Sequence, residues 1–579
     1  MAEKQEIITD YVDIPINTPL ELIPKKVAQV TNGFKSHKTL SLEFRREQLR
    51  NLYYAIYDNM DLLKETLKLD LNKSSLEANL SEIAYVLKEI YYFIDNLDRL
   101  AEPESAPIEF FMRPSTANIE KHPLGTVLVI SPWNYPVLLS LSPVASAIAA
   151  GNTVVLKVSE LSPHTSRAIV MLLQAHLDPE IFVGITGAIP ESTALLKEKF
   201  DKIMYTGNGN VGRVVARAAT NNLTPVILEL GGKSPAIITK NANLYLAARR
   251  LLWGKQMNAG QTCVAPDYIL IEESIKDSFI KELKLAHDEF YPNDLDKDTE
   301  WYGHIINKKH YNRLKEILNT TKGKIVVGGG TDDSSKFIAP TFIEGITSTD
   351  SLMQDEIFGP LIGIITVADV DEAITFIERE HDTPLALYIF SNDVKEQREI
   401  VSKTRSGAVG INDPMVHVSL MNAPFGGVGQ SGYGAYHGKD GFEAFSHRRT
   451  VFSQSAIIEP LFGMRYPPYN KSKETQYRLV AMPPKPWFAR KGPVRKSLFR
   501  RLFTLRNILF LGLARLIMTF LYPRIEEHLD FDVLVQDFQN LLLYVWGLGV
   551  AFVNFWRNID WDEYGRGDLY DRQLNGQTN

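Results

Sequence analysis

The run K-I-M-Y-T (202–206), followed directly by G-N-G-N-V-G (207–212), restricts the fold of this chain more than any other stretch. Residues 202–206 read as a strand, and 211–221 read as a helix. Glycines between a strand and a helix allow a tight turn, a close backbone approach to a phosphate, and a helix lying near the sheet. Strand, glycine loop and helix together are the unit of a doubly wound parallel sheet, so the expectation is an α/β fold. The flanking sequence agrees. T-V-L-V-I (126–130) and T-V-V-L (153–156) read as short buried strands, with S-P-W-N-Y-P (131–136) and K-V-S-E (157–160) as the loops at their ends. Ligands of open α/β sheets bind beyond the carboxyl ends of the strands, which is where these loops fall.

Several residues in or after this region carry reactive groups, each with a plain reading and a chemical one. Glu229 closes V-I-L-E-L before Gly231 and Gly232, at the end of a strand. By spacing from the glycine loop it is equally a ribose-binding acid. Cys263, the single cysteine of the chain, follows a helical segment (244–257) that N-A-G (258–260) terminates. A lone cysteine is commonly a small buried apolar residue. It acts as a nucleophile only with a base or a lowered pKa, and a nearby carboxylate can prepare a water for the second half of such a reaction. Asn134, between two prolines, either makes an Asx-turn or offers its amide to a developing oxyanion. Lys157 and Glu160 read as a surface ion pair or as a ribose clasp, and Q-D-E-I-F-G-P (354–360) as an acidic turn around an aromatic residue.

Taken together, E-L-G-G-K-S-P (229–235) and N-A-G-Q-T-C (258–263) closely resemble the aldehyde dehydrogenase superfamily. P-W-N-Y-P (132–136), Q-D-E-I-F-G-P and A-P-F-G-G (423–427) extend the match. The string from 424 to 438, ending G-A-Y-H-G, and F-S-H-R-R (445–449) look like class 3 members. R-Y-P-P (465–468) with S-K (472–473) is similar to their membrane-bound fatty aldehyde branch. The resemblance spans roughly residues 20–455. It implies Cys263 as nucleophile, Glu229 as general base and Asn134 as oxyanion donor. It implies Trp133, Lys157, Glu160, Gly207, Asn208, Gly212, Glu356 and Phe358 as cofactor contacts. Val158 departs from the proline usual there. A carboxylate at Glu160 accepting from both ribose hydroxyls would repel a 2′-phosphate, so NAD is expected ahead of NADP. No metal site is expected.

The resemblance also implies an organisation. An NAD-binding domain is expected at 20–101 and 123–230, a catalytic α/β domain at 231–425, a bridging β arm at 102–122 and 426–453, and a helical membrane-associated tail at 454–579. A homodimer joined partly through the arm is expected. The implied reaction is oxidation of an aldehyde to a carboxylic acid, with long-chain aliphatic aldehydes as substrate. Aromatic aldehydes are the alternative, and an inactive membrane scaffold a distant one. A CoA-acylating enzyme is disfavoured because that branch typically lacks the base that Glu229 supplies.

Composition sets the remaining limits. At 579 residues, 45% apolar and 23% charged, the chain is ordinary globular material for several domains. A net charge of −6 gives no footprint for nucleic acid. One cysteine suits a reducing compartment, and the N-terminal residues show no apolar signal segment. Residues 20–100 read as successive helices, with Leu76, Leu80, Ile83, Leu87, Ile90, Ile94 and Leu97 as one packing stripe devoid of chemistry. Beyond the family core, residues 485–506 hold eight Lys or Arg and no Asp or Glu, interleaved with leucine and phenylalanine. Apolar segments follow at 508–522, interrupted by Arg515, and at 541–556. Both are short of the ~20 residues of a spanning helix. A helix lying in the interface, a shallow hairpin, or packing back on the core are the available forms. The expected location is a cytosol-facing membrane surface of the endoplasmic reticulum, mitochondrial outer membrane or lipid droplets.

Overall fold

The structure of the protein, a computed structural model, describes residues 13–292, 295–482 and 486. At its centre Thr126–Ile130 lies beside Lys202–Gly207, parallel, in a six-stranded sheet. The sheet order is Gly432–Tyr433, Val226–Leu230, Lys202–Gly207, Thr126–Ile130, Thr153–Lys157, Phe182–Ile185. The chain therefore starts in the middle, builds outward to 182–185, then returns to build the other side. That reversal opens a crevice between the carboxyl ends of 126–130 and 202–207, flanked by the loop 131–136 and the glycine loop. The G-x-G-x-x-G string thus follows the strand on the far side of the crevice rather than the first strand of the unit. Both faces are covered. Leu42–Tyr57, Met60–Leu71, Ala84–Ala101, Leu138–Ala149 and Pro163–His176 supply apolar side chains to one core, and Ile23–Lys35 and Gly209–Thr220 to the other. The strands of this sheet are apolar along almost their whole length because neither face meets water.

The chain leaves this sheet after Leu230 and enters a second one at Pro235–Ile238. That sheet is ordered Lys324–Val327, Thr341–Glu344, Leu361–Val367, Tyr268–Glu272, Pro235–Ile238, Ala386–Phe390, Ala408–Ile411. All its pairings are parallel except that of 324–327, the edge strand. Helices Leu244–Gln256 and Lys276–Phe290 cover one face, and Lys308–Thr320, Val370–Glu380 and Val394–Lys403 the other. Gly231 and Gly232 therefore join two sheets, and Glu229 sits one residue from the end of the first.

A third sheet is antiparallel: Glu104–Ser105, Thr116–Pro123 and Ser446–Ser453. Its register runs from Ser446↔Pro123 to Ser453↔Thr116, and 447–453 is an exposed outer edge. The sequence places all of 426–453 in this arm. The structure gives the strand 432–433 and the helix 438–444 to the first domain instead. Gly432–Tyr433 pairs with Val226–Leu230, and the helix Gly438–Ala444 contributes Phe442 to the core between helices 84–101 and 138–149.

The expected stripe at 76–97 is also interrupted. Ser75–Ala78 is one helical turn, Asn79–Ile83 is a π turn, and only then does the regular helix Ala84–Ala101 begin. The wider turn changes the helical phase, so Leu76 and Leu80 face solvent. Glu82, Val86, Glu89, Ile90, Phe93 and Leu97 take the inner face. Lys471–Val480 is a short helix capped by Asn470, whose side chain accepts from Lys473 N. The basic stretch 485–506, but for 486, and both apolar segments lie outside the described residues. Among the described residues no helix is long and apolar enough to cross a membrane.

Candidate functional site

The segment that presents Cys263 is shaped by its backbone. Helix Leu244–Gln256 starts on Asn243, whose side chain accepts from Leu246 N, and stops where Asn258 and Ala259 turn left-handed at φ 51° and 50°. Gly260 follows at φ 70° and lies against the main chain of Gly359, where a Cβ would stand 2.2 Å from the carbonyl oxygen. Only glycine fits that crossing, which locks the cysteine loop onto the E-I-F-G-P loop. Cys263 itself is half-buried.

Asn134 is brought to the same place. Its Nδ2 donates to Gln261 O at 3.1 Å, and its own carbonyl accepts from Asn258 Nδ2 at 2.8 Å. One residue along each loop, the hydroxyls of Tyr135 and Thr262 share a hydrogen bond of 2.7 Å. The loop 131–136 of the first domain and the cysteine loop of the second are stitched together around the single thiol.

Two carboxyl groups complete the arrangement. Glu229 is 3% exposed, and neither of its carboxyl oxygens has a hydrogen-bond partner among the described residues. Burial raises its pKa well above the ordinary value. The Glu356 carboxyl lies over Gly231, where a Cβ would stand 2.1 Å from Oε2, and it accepts from Gly232 N–H. Burial first, then Asp267, pushes it up to about 8. Both acids act on Cys263: burial, then Glu356, then Glu229 raise the thiol, while the N–H groups of Cys263 and Val264 oppose them. A lowered cysteine pKa is therefore not what this site provides. It holds the thiol near a carboxyl group that has no hydrogen-bond partner among the described residues.

The expected cofactor residues fall around the crevice. Lys157 and Glu160, at the end of strand 153–157, form an ion pair of 3.1 Å, with Glu160 reaching solvent. The rings of Trp133 and Phe358 meet edge to face at 5.4 Å, closing one wall between the two domains. Asn208 caps the helix Gly209–Thr220, its side chain accepting from Val211 N at 3.0 Å. Gly212 lies inside, where a Cβ would stand 2.7 Å from the Leu230 side chain. Its part is to let the helix lie close on the sheet. Gly207 has the Tyr205 hydroxyl 2.3 Å from a would-be Cβ. A dinucleotide fits these groups: a helix N-terminus at the crevice for its phosphates, a solvent-reaching carboxylate at a strand end, and a buried Glu356 Oε1 with no partner among the described residues.

Sequence reading passed over the acids of 75–101. Glu77, Glu82 and Glu89 are all buried, and Lys73 has no exposed surface. Glu82 and Glu89 lie on the inner face among Val86, Ile90 and Phe93, so acids inside an apolar stripe were the available signal once the π turn sets the phase. His417 and His437 were missed too. Each stacks on the Phe425 ring, and burial lowers each to about 4.

Residues 18–451 match the model of the aldehyde dehydrogenase family. The dimeric NADP-preferring aldehyde dehydrogenase of Rattus norvegicus is 44% identical over 77% of this chain and 98% of its own length. Aldehyde dehydrogenase family 3 member A2 of Mus musculus is 41% identical over 78% and 92%. The beta-apo-4'-carotenal oxygenase of Neurospora crassa is 42% identical over 83% and 90%. Among solved structures, the substrate-bound AldH of Staphylococcus aureus superposes with a TM-score of 0.77 at 40% identity, covering 79% of this chain and 99% of that one. With its loops joined around Cys263 and its crevice fitted to a dinucleotide, this chain belongs to the aldehyde dehydrogenase family, in the class 3 branch, and is an NAD(P)-using oxidoreductase.

Proposed function

We propose that this enzyme oxidises long-chain apolar aldehydes to carboxylic acids with Cys263 as nucleophile, Asn134 as oxyanion donor and Glu229 as general base. The observation that carries the assignment is the joining of the Asn134 and Cys263 loops beside a buried Glu229 that has no competing partner among the described residues. The Cys263 sulfur attacks the aldehyde carbon as its proton passes to solvent. Asn134 Nδ2 and the Cys263 N–H receive the charge that develops on oxygen, a contribution of roughly 3–4 kcal/mol for one such donor. Bound NAD(P) supplies the electron acceptor for the oxidation. Glu229 in its carboxylate form then takes a proton from water, which attacks the thioester; the carboxylic acid leaves and the proton passes to the departing sulfur.

NAD is favoured over NADP on the ground that a Glu160 carboxylate accepting from the ribose hydroxyls would repel a 2′-phosphate. Relatives named NADP-preferring make this a real choice. Glu160→Gln is expected to lower the ratio of kcat/KM for NAD over NADP. NADP preference in the unmodified enzyme, or an unmoved ratio, removes the assignment.

The apolar substrate class is supported by the apolar segments at 508–522 and 541–556 and by the fungal relative named for a carotenal. A tail lying on a membrane would let the enzyme collect such aldehydes from lipid on the cytosolic side of an organelle. The exposed edge 447–453 offers unpaired backbone groups to a second copy, which supports a dimer. Profiling the purified enzyme against aliphatic aldehydes of increasing length and against benzaldehydes tests the substrate class. kcat/KM is expected to rise with chain length; a flat series with better aromatic turnover transfers the reading to aromatic aldehydes. Cys263→Ala is expected to abolish turnover with every substrate.

A further inference from the structure

A buried charged cluster lies behind the two reactive loops, built from the segment between helices Met60–Leu71 and Ala84–Ala101. The first helix ends on Asn72, left-handed at φ 53°. Asn72 Nδ2 donates to Tyr302 O at 2.9 Å, and Leu71 O accepts from His304 N at 2.9 Å, so this end is pinned to the catalytic domain. The turn delivers Lys73 inward. Its Nζ donates to Glu82 Oε1 at 2.6 Å and to the carbonyl of Asn134 at 3.0 Å, and stands 3.9 Å over the Tyr135 ring. The other Glu82 oxygen accepts from Val137 N at 2.8 Å and Leu138 N at 3.2 Å, where the chain leaves the Asn134 loop. Glu77 Oε1 accepts from Asn258 N at 2.6 Å, and Asn258 in turn reaches the same Asn134 carbonyl.

Stability alone does not call for such a cluster. A buried ion pair is commonly matched or exceeded by apolar residues of equal volume. What ions add here is direction: they fix main-chain atoms of Asn134, Val137, Leu138 and Asn258, which belong to the two loops that must meet the substrate. A misplacement of about 1 Å in such a pair costs roughly a hundredfold in rate.

We propose that Lys73, Glu77 and Glu82 are positioning residues that hold the Asn134 amide and the Cys263 thiol in register for attack on the aldehyde. This rests on the assignment of Asn134 and Cys263 above. The test is a double-mutant cycle read by single-turnover acylation in the full chain. Lys73→Met is expected to slow acylation by about tenfold or more when Asn134 is present, and by less than about twofold in an Asn134→Ala background, because Lys73 acts through Asn134. KM for NAD should stay within about twofold, since no cofactor group is touched. Equal slowing in both backgrounds overturns the proposal. Glu77 offers a second test should Lys73→Met not fold. Glu77→Gln keeps an acceptor for Asn258 N and should acylate within about twofold of wild type, whereas Glu77→Ala should lose about tenfold. Equal losses in the two variants overturn the proposal as well. Turnover by Cys263→Ala would instead sink the underlying mechanism, whatever the cycle shows.

Discussion

Cys263 and Glu229 each look unfavourable alone. The thiol is raised above its ordinary 9.0 by burial and two acids, and the acid is raised by its own burial. Both shifts have one physical cause, since a buried thiolate and a buried carboxylate each lack the solvation that charge requires. The single cysteine makes this measurable. The rate of alkylation by iodoacetamide is expected to go on rising with pH beyond 9.0, since only the thiolate reacts. A plateau below that value would contradict the electrostatics described here. Both residues can be singled out in the sequence because they stand inside contiguous strings, E-L-G-G-K-S-P and N-A-G-Q-T-C, that resemble the family's; taken singly, each keeps a plain reading. Lys73 was not legible, because its meaning lies in contacts with Asn134 and Glu82 that no local pattern encodes.

At the scale of elements, the strands and helices of both domains follow from apolar runs and glycine turns, and the sequence shows most of them to within a few residues. The exceptions have physical causes. Seven apolar residues at helical spacing do not reveal a π turn, so periodicity alone puts Leu76 and Leu80 on the wrong face. The string 424–438 is local in sequence, yet its Gly432–Tyr433 piece closes a sheet begun far upstream at Val226–Leu230. Helix 84–101 also carries a testable charge. Glu89 bonds Gly438 N at 3.1 Å and the Ser142 hydroxyl, and burial lifts it from 4.5 to about 7. A raised acid adds stability that is fully present below 4.5 and lost as pH rises through about 7. Glu89→Gln, neutral throughout, should flatten that slope in thermal melts and gain roughly 3 kcal/mol relative to wild type across the window. Parallel melting curves at every pH would show that Glu89 is not the source.

For the whole molecule, the two domains contribute one loop each to the thiol, which is why neither half of the chain reads as an enzyme by itself. The tail adds a second question at this scale. Its basic stretch and apolar segments carry the proposed membrane association, under which the full-length protein is expected to stay with membranes through a high-salt wash, while a chain ending before 485 is released. Full-length protein released by salt alone would remove the membrane from the proposal. The central claim is narrower, that oxidation passes through a covalent acyl group on Cys263 which Glu229 is needed to remove. Intact-protein and peptide mass spectrometry of Glu229→Gln, quenched after mixing with NAD and a long-chain aldehyde, tests it directly. The expected result is one acyl group on the peptide carrying Cys263, and none in Cys263→Ala. Continued acid formation with no adduct at Cys263, or an adduct elsewhere, would contradict it.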